Sequence, residues 1–203
     1  MRETHDLSIS GEALVGLSSQ VVKMGFGFAG FILFARVLGP VGLGGYLVVL
    51  AAGRFVSQVA DGVAGGIQKR VSEANANERE LLGTGIIFHV GLIAATAILL
   101  VLTGGYLQQY INAPRISLSI VIIVATMGAF SIAQQFYQGL GYPGYSSWID
   151  TFRSIITILS QVVLLLSTDL GSFALVLGIC IANGTSALVT VGLARTWPAV
   201  PKW

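Results

Sequence analysis

Lys23 and Arg54 stand in the middle of long apolar runs, and Asp61 follows Arg54 in the same run. An ionisable side chain at the centre of a membrane helix costs about 2.5–3.5 kcal/mol on insertion scales, so charges kept there have a use or a partner. At 100° per residue, Glu12, Gly16, Ser19, Gln20, Lys23, Gly27 and Gly30 fall on one helical face. Arg54, Gln58 and Asp61, spaced four and three, form a second polar stripe. Both stripes must point into protein or into a wet cavity, because hydrocarbon does not tolerate them. Two readings stay open. An anion that visits between the two cations explains why both are kept. Alternatively, Asp61 and Glu12 neutralise them as structural ion pairs, although both carboxylates lie a turn or more away along the helices.

A third stripe is formed by Asp150, Ser154, Thr157 and Gln161, with Arg153 beside it. Asp150 and Arg153 are three apart, close enough on a helix to pair with each other. The stripe is therefore either cavity lining or a self-contained ion pair with polar neighbours. Gln134, Gln135 and Gln138, and further on Asn183, Ser186 and Thr190, fit interhelical hydrogen bonding or cavity lining. His89 has no second ligand nearby in sequence and reads as a buried neutral or proton-responsive imidazole, with no metal site. Cys180 is the single cysteine, which excludes an intrachain disulfide. No nucleophile motif, catalytic carboxylate pair or phosphate loop is present, so the sequence reads as no enzyme and implies no cofactor.

The elements that hold these side chains are membrane helices. Of 203 residues, 54% are hydrophobic and 10% charged, whereas soluble domains carry about 25% charge. A chain so poor in charge needs lipid to cover it. The net charge of +2 is too small to suggest nucleic acid. Runs of ~20 apolar residues predict an all-α polytopic membrane bundle of about six transmembrane helices, at about 12–37, 43–67, 81–102, 116–139, 147–167 and 172–194, as one lobe with no soluble domain. Gly39-Pro40 breaks the first run, since the residue before proline resists the α region. Asn77 with Glu80 reads as a capping box for the third helix. Asn112-Ala113-Pro114-Arg115, Gly141-Tyr142-Pro143-Gly144 and Thr168-Asp169 supply the later breaks. A chain turning at Gly39-Pro40 brings Lys23 and Arg54 to nearly the same depth.

Orientation follows from Lys and Arg near the span ends. With the N-terminus inside, Arg2, Lys69, Arg70, Arg79, Arg195 and Lys202 lie on the inner side, against Arg36 and Arg115 outside. Both termini are therefore expected on the cytoplasmic side of the cell membrane.

Two stretches carry a family resemblance: 34–46 (FARVLGPVGLGGY) and 61–73 (DGVAGGIQKRVSE). They resemble the N-terminal region of polysaccharide-biosynthesis flippases, whose first helix ends in an Arg-x-Leu-Gly-Pro turn followed by Gly-x-Tyr. In that family an Asp-x-Gly-like step and a basic, Ser-Glu-containing inner loop close the second helix. Arg36, Leu38, Gly39, Pro40, Gly44 or Gly45, Tyr46, Asp61, Gly62, Lys69, Arg70 and Glu73 match, and the second stretch is most similar to archaeal members. Beyond 11–73 the likeness is hydrophobic spacing and a Gln-x-x-x-Gln-Gly-Leu-Gly step at 134–141.

The resemblance implies two six-helix lobes rocking around a cationic cavity. Lys23 and Arg54, with Gln20, Gln58 and Asp61 beside them, would hold the anionic head group of a lipid-linked oligosaccharide whose tail stays in the bilayer. The length accommodates one lobe, so a fragment of a longer protein, or a homodimer, is expected. The alternatives are a cation-coupled multidrug-type exporter using Asp61 and Asp150 as ion sites, and a non-transport membrane scaffold subunit. The excess of Lys and Arg near the midplane favours an anionic substrate.

Overall fold

The computed structural model describes residues 9–73, 77–111 and 115–194. Residues 197–203 and the residues expected on the inner side, Arg2, Arg195 and Lys202, lie outside them, as does the Glu12 side chain. Five helices follow one another: α1 (Ile9–Val71), α2 (Glu78–Tyr110), α3 (Ile116–Gly139), α4 (Pro143–Ser167) and α5 (Ser172–Ala194). All five are long and apolar enough to cross a membrane, and no strand occurs among the described residues.

The break expected between the first two helices falls at Gly39, but with no separate loop. Residues 9–71 form one 63-residue helical element, interrupted only at Gly39, whose φ of 66° and ψ of 177° lie in a region open essentially to glycine alone. Pro40 follows directly, so the second arm starts on a residue with no N–H to satisfy. No loop intervenes, yet the chain folds back there. A straight helix would hold Lys23 and Arg54 about 46 Å apart at 1.5 Å per residue. Instead Lys23 meets Asp150 on α4, and Arg54 shares a cavity with Arg153, one turn further along the same helix. The first arm (9–38) runs parallel to α4, with Gly30 opposite Ile158. The second arm (40–71) runs antiparallel to it, with Tyr46 at Gln161.

α3 is the central helix. It packs on the second arm of α1 and on α2, α4 and α5, and Ile120, Ile123, Val124, Phe130 and Phe136 are buried there. Small residues set the spacing, because lipid supplies no hydrophobic drive between helices and close backbone approach must replace it. A Cβ on Gly139 would lie 2.7 Å from the Gln68 carbonyl oxygen. A Cβ on Gly128 would collide with the His89 ring. The outward faces are apolar: Phe28, Val101, Leu102 and Leu188 are each about 70% exposed or more. The interior holds Ser57, His89, Ser119, Ser146, Gln161 and Asn183. Lone hydroxyls mostly return to the carbonyl four residues back, as Thr96 does to Leu92 and Thr126 to Ile122.

Two local readings change. The Asn77 side chain makes no capping hydrogen bond, so the Asn77–Glu80 capping box is not formed; the Asn77 carbonyl accepts from Leu81 N at 3.1 Å instead. α2 also runs eight residues past the expected end at 102, through Tyr110, because its mixed polar sequence still completes the helical ladder. The Gly141–Gly144 break is formed with Gly141 at φ +93° and Pro143 opening α4, where its missing N–H is no loss.

Candidate functional site

Asp150 is the centre of an ion network. One carboxylate oxygen accepts from Lys23 Nζ. The other accepts from Arg153 Nε at 3.0 Å and Nη2 at 2.6 Å. Arg153 Nη1 then donates to Asn183 Oδ1 on α5 at 3.0 Å, and the guanidinium lies 4.7 Å over the Phe130 ring of α3. Three helices and the first arm of α1 thus meet at one carboxylate and one guanidinium. The Asp150–Arg153 pair expected from its spacing is formed. In place of the expected neutralisation by Asp61, Lys23 pairs with Asp150, 127 residues away in sequence, while the Glu12 side chain lies outside the described residues. Sequence spacing shows neighbours on one helix only, and nothing in it could have pointed across that distance.

Arg54 makes no salt bridge among the described residues. With Arg153, it lines two cavities. The first holds about 470 Å³ and is polar, walled by Arg54, Ser57, Gln58 and Asp61 of α1, Phe130, Ser131, Gln134 and Gln135 of α3, Asp150 and Arg153 of α4, and Asn183 of α5. The second holds about 270 Å³ and lies between the two arms of α1 and α4, where apolar side chains dominate. Over Lys23, Arg54, Arg153, Asp61 and Asp150 the formal balance is one positive charge in excess. Two buried polar atoms of the first cavity's lining residues have no partner among the described residues: Asn183 Nδ2, on a fully buried residue, and Gln135 Oε1. Unpaired buried groups are rare and call for an explanation. The Asn183 donor sits beside the Arg153 guanidinium in the lining of the cavity that Arg54 shares, a setting that suits an anion.

The remaining expected residues divide. Gln58 and Asp61 line the polar cavity, while Thr157 and Gln161 line the apolar one. Gln161 is committed elsewhere, donating to Tyr46 Oη at 3.0 Å and to the Leu175 carbonyl at 2.9 Å. Thr157 and Ser154 bond back to the carbonyls of Arg153 and Asp150. Gln20 and Ser154 line neither cavity; Gln20 is exposed.

The glutamines of α3 serve both readings. Gln138 bridges Gln68 and Ser146 at 3.2 and 2.9 Å, whereas Gln134 and Gln135 reach the cavity wall. His89 is buried with Nε2 2.8 Å from the Ala125 carbonyl and lines neither cavity. Asn183 is the functional candidate the sequence undervalued, since it reads equally as glue until its Arg153 contact is seen.

The family model described as "Polysaccharide biosynthesis protein" matches residues 11–197, so this multi-pass membrane chain belongs to that family. No curated protein and no solved structure matches it.

Proposed function

We propose that this member of the polysaccharide biosynthesis family is a flippase lobe that binds the phosphate or pyrophosphate of a lipid-linked oligosaccharide between Arg54, Arg153 and Lys23. Membership of a family of transporters implies a non-enzymatic role. The observation that carries the reading is the pair Arg54 and Arg153 on one wet cavity, with a spare amide donor at Asn183. Planar guanidiniums suit bidentate phosphate contacts. Lys23 and Arg153 share Asp150, leaving Arg54 as the cation whose charge an incoming phosphate neutralises.

The two arms of α1 count as two crossings, which makes six. Together with the basic pair Lys69 and Arg70, this supports both termini on the cytoplasmic side. Alternating access then requires a second lobe, from a longer chain or from a second copy. Asp150, held between two cations, is poorly placed as the sodium or proton site of a drug exporter, which favours the flippase over that alternative.

Arg54→Gln is the sharpest test. Arg54 is exposed and holds no ion pair among the described residues, so removing its charge should lower pyrophosphate binding at least tenfold and leave the melting temperature unchanged. Arg54→Lys should restore only part of it. Unchanged binding in Arg54→Gln refutes the anion site.

A further inference from the structure

The two cavities lie end to end along the helix axes, and Arg54, Arg153 and Met127 belong to both. Toward Asp61 and Gln134 the space is polar. Toward the Gly39 turn it is walled by Phe31, Phe34, Leu47, Leu50, Ile158 and Ile179. Two polar side chains on that side already hold partners: Gln161 Nε2 donates to Tyr46 Oη and to the Leu175 carbonyl, and Thr157 Oγ1 donates to the Arg153 carbonyl at 2.8 Å. Past the two guanidiniums, a compartment walled mainly by apolar side chains favours hydrocarbon over water.

A polar chamber and an apolar chamber that meet at two guanidiniums match one kind of molecule: an amphiphile whose anionic group joins a polar part to a single hydrocarbon chain. Resting on the anion site proposed above, we infer that the apolar chamber takes the first carbons of that chain. The protein thereby reads the lipid as well as its head group, and the tail is not left wholly to the bilayer. At about 270 Å³ the chamber falls just below the ~300–1,000 Å³ of ordinary small-molecule sites, so it holds a short segment. Phe31 and Leu47 on its wall are 46% and 42% exposed, which gives the remainder of the chain a way out. The polarity also fits the direction of approach. With the Lys69–Arg70 end inside, an inner-leaflet lipid presents its head to the polar chamber and its chain toward the membrane centre.

The test uses inorganic pyrophosphate and the C5, C10 and C15 prenyl pyrophosphates as probes, bound to the full chain in detergent. Each methylene that enters should tighten binding up to about fourfold, the equivalent of ~0.8 kcal/mol. Affinity should therefore rise at least tenfold from pyrophosphate to the C10 probe and then level off. Gly27 lines the chamber, and a Cβ there meets nothing within 4 Å, so Gly27→Leu fills it without displacing a neighbour. In Gly27→Leu the ratio of C10 to pyrophosphate affinity should fall to within twofold of unity. Partition of the probes into micelles is the same for both proteins and drops out of the comparison.

Leu47→Trp, at the rim, serves if the first variant is recovered unfolded. An undiminished ratio in a folded filling variant, or no chain-length dependence in the parent, overturns the inference. If pyrophosphate binding depends on Arg54 but not on chain length, only this inference fails. If it does not depend on Arg54, the anion reading fails first.

Discussion

The seam between α4 and α5 and the seam between α4 and the first arm of α1 are built on opposite principles. At the first, backbone meets backbone: a Cβ on Gly178 would lie 2.8 Å from Gln161 N and 3.0 Å from its Cα. At the second, Gly25 and Gly27 face open space, and the link is the Lys23–Asp150 ion pair with a lighter touch of Gly30 on Ile158. Interlocked surfaces resist separation at every point, because each lost atom contact counts. A charge pair holds two surfaces without interdigitation and can be exchanged for another anion. Within this bundle, then, α4 and α5 interlock closely, whereas near Lys23 the first arm meets α4 chiefly through a charge pair.

The largest expected effect is on the interlocked side. Gly178→Leu must push backbone apart, beyond the ~1–3 kcal/mol usual for overpacking by extra methylenes, and should abolish recovery of monodisperse protein in detergent. Recovery at the parent melting temperature would erase the distinction. Asp150→Asn should come next. It strands Lys23, a change that costs ~3–5 kcal/mol at a fully buried pair; here the side chains keep 20% and 24% exposure, so about 3 kcal/mol is expected. Adding Lys23→Met should return part of the loss, read as a coupling energy in a double-mutant cycle. A neutral Asp150→Asn would mean the first arm is held by something else. The smallest effect is at Gly25→Ala, which adds helix propensity into empty space and should raise stability by up to ~1 kcal/mol. A cost of that size instead would reveal close packing on the first arm.

Much of this architecture is legible in the sequence, and the failures have physical causes. Apolar runs of spanning length mark the helices because lipid imposes that length. Gly39-Pro40 marks the reversal because few other dipeptides both break the ladder and begin anew. What composition cannot show is that the reversal needs no loop, since that depends on a single ψ of 177°. Asn77 and Glu80 have the right spacing for a cap and do not form one, because spacing permits a hydrogen bond without requiring it. Asp150 and Arg153 were readable as a pair because one helix carries both. Lys23 and Asp150 were not, since their meeting is decided by how α1 folds back on α4. Asn183 is in the same position, joined to Arg153 only by the packing of α5.

The separation of Lys23 from its carboxylate also bears on how the chain is made. At a synthesis rate of roughly 5–20 residues per second, Asp150 leaves the ribosome on the order of ten seconds after Lys23, which precedes it by 127 residues. Throughout that interval the nascent α1 hairpin carries two cations at matching depth and lacks the α4 carboxylate that later binds one of them. With only Gly39 at its tip, the hairpin has no loop between its arms. Emergence of α4 then completes the charge pairing, so the final anchoring of the first helical segment waits on the fourth.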